Sequence, residues 1–230
     1  MLIHNTDSSG KVDNNGITES IPIEFHRTSR EIEPVEYIGY NPTTPYTDRG
    51  VFYAGMLTGS QILEEIDKGR IQITPFDKTK INPNSYNVTL KNTLLTYSED
   101  IIDFKKKNET KRIIIPESGL VLQPGVLYLG RTNEECFSDT FIPMINGRSS
   151  VGRLGMTIHI TAGFGDIGWR GTWTLEIMVV KPLKIYPNIE IAQVCYFTPF
   201  GETYMQYDGR YQNQVDTTAS RSNLEKKVYV

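Results

Sequence analysis

The sequence predicts a mostly β protein, built as a sandwich or barrel with one or two short helices. Short apolar runs rich in β-branched and aromatic residues follow one another from residue 73 to residue 197. Pro, Gly and Asn separate these runs, and no repeat of fixed period is visible. Many short strands with such punctuation are typical of all-β sandwiches and barrels.

Composition divides the 230-residue chain into three parts. Residues 1–55 are rich in turn-forming residues, and we interpret them as a partly ordered arm with an edge strand at Ile21–Phe25, or as a flexible tail. Residues 56–200 contain the apolar runs of the β core. Residues 201–230 are rich in Gly, Tyr and Gln without hydrophobic periodicity, and we interpret them as a tail or lid over a site, with a disordered tail as the alternative.

The first predicted element of the core is a helix that begins after Thr58. Thr58 and Gln61 fit a capping box, Ile62 and Ile66 share one face, and Gly69 is a C-terminal stop signal. We predict the strands at the apolar runs, which are ITPF (73–76), SYNVTL (85–90), RIIIP (112–116), LVLQPG (120–125), VLYLG (126–130), FIPMI (141–145), MTIHIT (156–161), TWTLEIMVV (172–180), LKIYPN (183–188) and IEIAQVCYF (189–197).

The strand predicted at 172–180 carries a glutamate in an apolar setting. Period-two alternation places Leu175 and Ile177 on one face, and Thr174 and Glu176 on the other. A carboxylate in a buried strand loses hydration, which costs several kcal/mol unless the carboxylate is paired. Since such a group is suited to accept a proton near neutral pH, we interpret Glu176 as a candidate general base.

Two further segments have the chemistry of a ligand site. Arg148, Ser149 and Ser150 form a predicted loop whose guanidinium, hydroxyl and N–H groups suit phosphate oxygens, although Ser-Ser loops are also common as plain turns. Asp166 lies among glycines that permit close approach of a ligand, and its alternative is a turn aspartate. Trp169 fits either a sugar contact or the core, and Gln193 fits either a sheet-edge position or a ligand contact. We interpret His159 as structural and Cys195 as a core residue.

Several functional classes are disfavoured. A net charge of −3 provides no basic surface for nucleic acid, and no apolar run is long enough to cross a bilayer. Two cysteines do not make a disulfide framework, so we expect a cytoplasmic location. Zinc nucleobase deaminases need a P-C-x-x-C motif, which this sequence lacks, and we therefore expect that any deamination by this protein proceeds without zinc.

Residues 147–176 resemble the core of the dCTP deaminases, metal-free enzymes related to the trimeric dUTPases. The resemblance extends over roughly residues 56–222, and three departures are Asn87 where Asp is common, Arg210 where Lys is common, and Gly165-Asp166-Ile167 in place of Ile-Asp-Pro. The matching segments are GRSSVGRLG, HITA, GDIGW and LE, with INPNSYNVTL and LQPGVLYLGRT upstream and IEIAQVCYF, GRYQNQ and ASR downstream.

This resemblance implies a dUTPase-like distorted β-barrel or jelly-roll sandwich and a homotrimer with shared active sites. It assigns catalysis to Glu176 as the base, to Ser149, which positions a water with the backbone near Ala162, and to Arg153 from a neighbouring chain. Mg²⁺ would enter with the triphosphate, and dTTP would be a feedback inhibitor. The predicted substrate-binding residues are Arg148, Ser150, Ala162, Asp166, Trp169, Thr174, Gln193, Tyr204, Arg210 and Gln214.

The function that the resemblance implies is hydrolytic deamination of dCTP to dUTP and ammonia. One alternative is a bifunctional enzyme that forms dUMP and pyrophosphate, with Asp166 also directing a water at the α-phosphate. Others are a dUTPase, which has no need of Glu176, and a deaminase of dCMP or a modified cytosine nucleotide. A non-catalytic binding protein on the same scaffold is disfavoured because Arg148, Ser149, Arg153, Asp166 and Glu176 are all present.

Overall fold

A computed structural model of the protein describes residues 55–224. The predicted arm at residues 1–55, with its edge strand at Ile21–Phe25, therefore lies outside the described residues except for Gly55. The described part is mostly β, as predicted, with two helices, α1 (Gly59–Asp67) and α2 (Ser149–Arg153), and a 3₁₀ turn at Lys78–Lys80. The strands are β1 (Ile71–Thr74), β2 (Ile81–Asn82), β3 (Ser85–Thr89), β4 (Thr93–Tyr97), β5 (Thr110–Ile114), β6 (Leu120–Leu122), β7 (Tyr128–Ser138), β8 (Ile142–Gly147), β9 (Met156–Thr157), β10 (Arg170–Val179), β11 (Leu183–Ile185) and β12 (Glu190–Phe197).

Helix α1 forms where its start and stop signals predict. The Thr58 hydroxyl accepts a hydrogen bond from the backbone N–H of Gln61, and the Gln61 side chain accepts one from the backbone N–H of Thr58. Ile62 is fully buried, and Ile66 packs against the core beside it. Gly69 follows the helix with a φ of 75°, a left-handed conformation that glycine adopts without strain. The predicted helix is confirmed.

Antiparallel pairing assembles the strands into two larger sheets and a small one. The six-stranded sheet runs β5-β4-β7-β10-β9, with β1 also paired to β7, and the four-stranded sheet runs β2-β3-β12-β8. Strands β6 and β11 form a two-stranded sheet. One continuous core takes side chains from both larger sheets, including Tyr86 and Ile191 on one side and Leu175 and Ile177 on the other.

The alternation predicted for β10 is present. Leu175 and Ile177 are fully buried, whereas Thr174 and Glu176 are half-buried on the opposite face. In the single chain, the face that carries Glu176 is therefore partly open to solvent. The aliphatic face supplies the packing, and the other face is available for chemistry.

Other strands differ from the prediction in extent. Strand β7 continues for eleven residues through a polar segment, the run MTIHIT yields only the two-residue β9, and TLLTY forms β4, which was not predicted. In β7 the polar side chains of Thr132, Glu134 and Ser138 are 0% exposed. Polarity therefore failed to predict burial in β7, because partners distant in the sequence satisfy these groups.

Glu134 joins β7 to the four-stranded sheet. Its carboxylate accepts hydrogen bonds from the backbone N–H (2.8 Å) and the hydroxyl (2.9 Å) of Thr89 in β3. Lys80, at the end of the 3₁₀ turn, adds an ion pair at 2.7 Å. Because both oxygens are engaged, the structure tolerates a carboxylate with no access to water.

Both cysteines are buried and form no disulfide. Burial raises the pKa of the Cys136 thiol to about 12, which keeps this thiol protonated and unreactive. Cys195 is 6% exposed in β12, in agreement with its interpretation as a core residue.

We expect Glu134→Ala to lower the free energy of unfolding by about 3 kcal/mol, because Lys80 and the Thr89 N–H would lose their partner in a buried site. Urea unfolding followed by circular dichroism measures this change. Glu117→Ala removes an exposed glutamate and should change the free energy of unfolding by less than about 0.5 kcal/mol. Equal midpoints for the two variants would contradict a stabilising role for Glu134.

Candidate active site

The carboxylate of Glu176 is anchored on one side only. Its backbone N–H donates to the carbonyl of Ile158 at 2.9 Å, and the backbone N–H of Ile160 donates to Glu176 Oε2 at 2.7 Å. No described residue donates a hydrogen bond to Oε1. A half-buried carboxylate with one oxygen held and the other available has the geometry of a general base.

The turn that follows Ile160 carries Ala162 and Asp166. Main-chain hydrogen bonds of 2.8 Å tie the turn to β8, from Ile145 N–H to the Gly163 carbonyl and from Gly165 N–H to the Pro143 carbonyl. A Cβ at Gly165 would lie 2.6 Å from the Trp173 ring, so only glycine fits there. Ala162 and Asp166 are both exposed, and the Asp166 carboxylate bonds to no described residue. The turn thus presents an unpaired carboxylate on a fixed backbone.

The Arg-Ser-Ser segment begins a helix, which corrects its prediction as a loop. Arg148 is the N-cap residue of α2, in an extended conformation, and Val151 anchors the helix in the core. Ser149, Ser150 and Arg153 are exposed, and their side chains form no hydrogen bond or ion pair with described residues. The serine hydroxyls therefore remain available to an anionic group, as the loop interpretation proposed.

Arg148 and Gln193 are held by partners that the sequence did not predict. Arg148 Nη1 lies 2.7 Å from Glu190 Oε2 and also donates to the Glu190 carbonyl at 3.2 Å. Gln193 Oε1 accepts a hydrogen bond from the Ser85 hydroxyl at 3.0 Å. Since β12 lies between β3 and β8, Gln193 is not at a sheet edge, which removes that alternative. The sequence signal that could have revealed these contacts is the set of polar residues on two paired strands, Asn87, Glu190 and Gln193, because polar groups in a core strand need partners.

His159 lies between the Glu176 strand and β8. Its Nε2 is 3.4 Å from Asn146 Oδ1, whereas its buried Nδ1 has no hydrogen-bond partner among the described residues. The ring therefore has one partner among the described residues, and its interpretation as a structural histidine stays a prediction. Asn146 pairs directly with Gln193 across the sheet, so His159 connects the surroundings of Glu176 with the four-stranded sheet.

Trp169 packs in the core and anchors the C-terminal tail. It is 7% exposed, and its ring lies 4.7 Å from that of Trp173 in a tilted arrangement. Its indole N–H donates to the carbonyl of Tyr211 at 2.9 Å. These contacts agree with the interpretation of Trp169 as a core residue.

The tail lies against β10 through Gln214. The Gln214 side-chain amide donates to the Thr172 carbonyl at 2.7 Å and to the Thr174 hydroxyl at 3.2 Å, and the Thr172 N–H donates to the Gln214 carbonyl at 2.9 Å. Thr174 is on the same face of β10 as Glu176, two positions away. The tail therefore borders the candidate base, and Thr174 and Gln214 already bond to each other.

The remaining tail residues occupy different environments. Tyr204 is 91% exposed and forms no hydrogen bond with a described residue, so this chain does not bring it to Glu176. Arg210 is half-buried, and its Nε has no partner among the described residues. The Arg210 carbonyl accepts a hydrogen bond from the Arg221 guanidinium. Of the predicted tail residues, only Gln214 lies beside the Glu176 strand.

Within residues 55–224, no group of three or more His, Cys, Asp or Glu side chains is arranged to hold a metal ion. In the same part of the chain, no helix is long and apolar enough to cross a membrane. The expected independence from zinc stays a prediction.

Comparison with known proteins identifies relatives of this chain. Residues 56–198 match the family described as dCTP deaminase-like. A Clostridium beijerinckii protein named "dCTP deaminase, dUMP-forming" is 56% identical over 158 residues, which are 69% of this chain and 91% of that protein. A Hathewaya histolytica protein of the same name is 52% identical over 165 residues, 72% of this chain and 95% of that protein.

A solved structure supports the fold. The 2′-deoxycytidine 5′-triphosphate deaminase from Agrobacterium tumefaciens aligns with a TM-score of 0.51 at 16% identity. The alignment covers 64% of this chain and 49% of that chain, so the described core corresponds to about half of the larger protein.

We expect Gln214→Ala to loosen the tail, because it removes both side-chain hydrogen bonds to β10. Amide hydrogen exchange at Thr172, whose N–H donates to the Gln214 carbonyl, should accelerate roughly thirtyfold, since two bonds are lost at about 1 kcal/mol each. Val215→Ala, at the exposed neighbouring position, is the matched control and should leave the exchange unchanged. Equal exchange in both variants would mean that Gln214 does not hold the tail.

Proposed function

Because the chain belongs to the dCTP deaminase-like family, we propose that it converts dCTP and two waters into dUMP, ammonia and pyrophosphate. Its relatives named dUMP-forming are about half identical to it over most of their length. Their names support the bifunctional alternative better than the dUTP product favoured from the sequence. The observation that carries deamination is Glu176, held by the Ile160 N–H at 2.7 Å with its second oxygen available.

In the proposed deamination, Glu176 takes a proton from a water that the Ser149 hydroxyl and the backbone near Ala162 position. The resulting hydroxide attacks C4 of cytosine, and Glu176 returns the proton to the ring or to the departing ammonia. The anchored Oε2 keeps the carboxylate in place while Oε1 exchanges the proton. Thr174, on the same strand face, is proposed to border the base.

Formation of dUMP needs a second water that attacks the α-phosphate and a group that accepts its proton. Asp166 is the proposed group, since its carboxylate is exposed and bonds to no described residue. Its other proposed role is a contact with the 3′-hydroxyl of deoxyribose. Arg148, Ser149 and Ser150 would hold the phosphates, and Mg²⁺ would arrive as part of the substrate complex.

A homotrimer with shared sites is part of the same proposal. Arg153 is exposed and forms no ion pair with any described residue, so a second chain would have to bring it to Glu176. Two exposed apolar side chains lie next to these residues. Leu154, which follows Arg153, is 62% exposed, and Ile160, which bonds to Glu176, is 54% exposed. Burial of these side chains against a second copy would complete the pocket.

Two further expectations extend the proposal. dTTP carries the same deoxyribose and triphosphate as dCTP, so it would compete for Arg148 and the serines as a feedback inhibitor. A cytoplasmic location is supported by the two cysteines, which are free thiols.

Product analysis tests the proposed reaction. With dCTP and Mg²⁺, we expect dUMP as the main early product, with ammonia and pyrophosphate in equal amounts and no accumulation of dUTP. A zinc-selective chelator should leave the rate unchanged. Accumulation of dUTP would restrict the activity to deamination, and turnover of dUTP alone would leave Glu176 without its proposed role.

Glu176→Gln should reduce ammonia release by about 10³-fold or more, because the amide has the same shape but cannot accept the proton. Nucleotide binding, measured by calorimetry, should be retained. Glu135→Gln changes a half-buried glutamate on the neighbouring strand β7 and serves as the matched control. An undiminished deamination rate in the Glu176 variant would exclude it as the base.

Shared sites predict complementation between two inactive variants. When Arg153→Ala and Glu176→Gln chains assemble at random in equal amounts, roughly a quarter of all pockets, one in each mixed trimer, should receive both intact groups. Activity should therefore recover to that fraction of the wild-type rate. Mixed trimers verified by mass spectrometry that show no recovery would indicate that each site is built within one chain.

A further inference from the structure

We propose that Glu190 is a positioning residue for Arg148, and that Asn87 is the neutral partner that lets a carboxylate stand beside that arginine. The inference rests on the proposed function in one respect, namely that Arg148 contacts the nucleotide phosphates. Its own evidence is a chain of side-chain hydrogen bonds in the four-stranded sheet, which links Arg148 and Gln193 to residues with no assigned part in the proposed reaction, namely Glu190, Asn87, Asn82 and Ser85.

Glu190 holds one end of the Arg148 guanidinium. Nη1 lies 2.7 Å from Glu190 Oε2 and donates to the Glu190 carbonyl at 3.2 Å. Both contacts use the same nitrogen, so the N–H groups on Nε and Nη2 stay available for phosphate oxygens. Since the Arg148 backbone is set by the start of α2, fixing Nη1 sets the direction of the remaining donors.

Asn87 determines the orientation of Glu190. Its side-chain N–H donates to Glu190 Oε2 at 3.0 Å, while its own Oδ1 accepts from the Asn82 side chain at 2.8 Å. The amide thus donates on one side and accepts on the other, which an aspartate cannot do. An aspartate at position 87 would put two carboxylates about 3 Å apart, an arrangement that costs energy while both are ionised.

The chain of hydrogen bonds continues to the second predicted binding residue of this sheet. Asn82 also donates to the Ser85 hydroxyl at 3.1 Å, and Ser85 donates to Gln193 Oε1 at 3.0 Å. With its oxygen engaged, Gln193 is left with its amide N–H groups to donate to a ligand. One network therefore sets the direction of the free donors of both Arg148 and Gln193.

The exposure of the Arg148 and Glu190 side chains determines how large the effect of losing Glu190 should be. The Arg148 and Glu190 side chains are 32% and 36% exposed, so water screens their attraction and their ion pair adds little to folding stability. The consequence of losing Glu190 is a misdirected guanidinium, which weakens binding of the phosphates. We expect a rise in KM of about three- to tenfold for Glu190→Ala, with kcat changed less than about twofold.

Steady-state kinetics with Mg·dCTP test the inference. Glu190→Gln, which can still accept the Arg148 N–H, should keep KM near the wild-type value. In an Arg148→Ala background, Glu190→Ala should have no further effect, because the group that it positions is gone. Glu135→Ala removes a similarly exposed pair with Arg170, at 34% and 35% exposure, and should leave KM unchanged.

Asn87 offers a second, independent comparison. Asn87→Asp should raise KM through repulsion of Glu190, and combining it with Glu190→Gln should restore KM, since the glutamine amide can donate to the aspartate and accept from Arg148. Melting temperatures of all variants identify any loss of folding. Equal effects of Glu190→Ala with and without Arg148, or no restoration in the Asn87→Asp, Glu190→Gln double variant, would overturn the inference.

The outcome can be separated from that of the proposed reaction. If the wild-type chain does not turn over dCTP, the proposed function fails on its own. Calorimetric titration with inorganic triphosphate then measures the same variants, and the same pattern of weakened binding and loss of effect without Arg148 is expected. Binding of triphosphate that is unaffected by Glu190→Ala would overturn the positioning role.

Discussion

The register of β10 on β7 is the constraint on which the rest of the site depends. Leu175 and Ile177 are fully buried on one face of β10, and this burial holds Glu176 opposite Leu129. A slip by one residue would turn both aliphatic side chains to solvent and Glu176 into the core. Burying each aliphatic side chain contributes about 2 kcal/mol, so packing selects the face on which the carboxylate stands.

Three glutamates show that their partners, more than their presence in a strand, determine what they can do. Glu134 has no access to water and both oxygens engaged, so it can hold strands together but cannot exchange a proton with a ligand. Glu176 has one oxygen held and one available. Glu190 pairs with an arginine and an asparagine, so its role is to orient neighbours.

The proposed site takes its groups from both larger sheets. The six-stranded sheet supplies Glu176 and the strand against which the tail lies, and the four-stranded sheet leads through β8 into α2 with its serines and Arg153. Ile158 and Ile160 bond to Glu176, and His159 between them lies 3.4 Å from Asn146, so this segment is one of the contacts that connect the two sets.

The sequence by itself determined the mostly β class, helix α1, the alternation of β10 and the motifs of the family, because caps and side-chain periodicity are local. Tertiary structure alone decided that the serines begin a helix, that Gln193 lies in a central strand and that Gln214 bonds to β10. It also decided the partners of Glu134 and Glu190. The Arg148–Glu190 and Gln193–Ser85 contacts join residues 42 and 108 positions apart. No local pattern encodes such pairs, since packing of the two sheets brings the partners together.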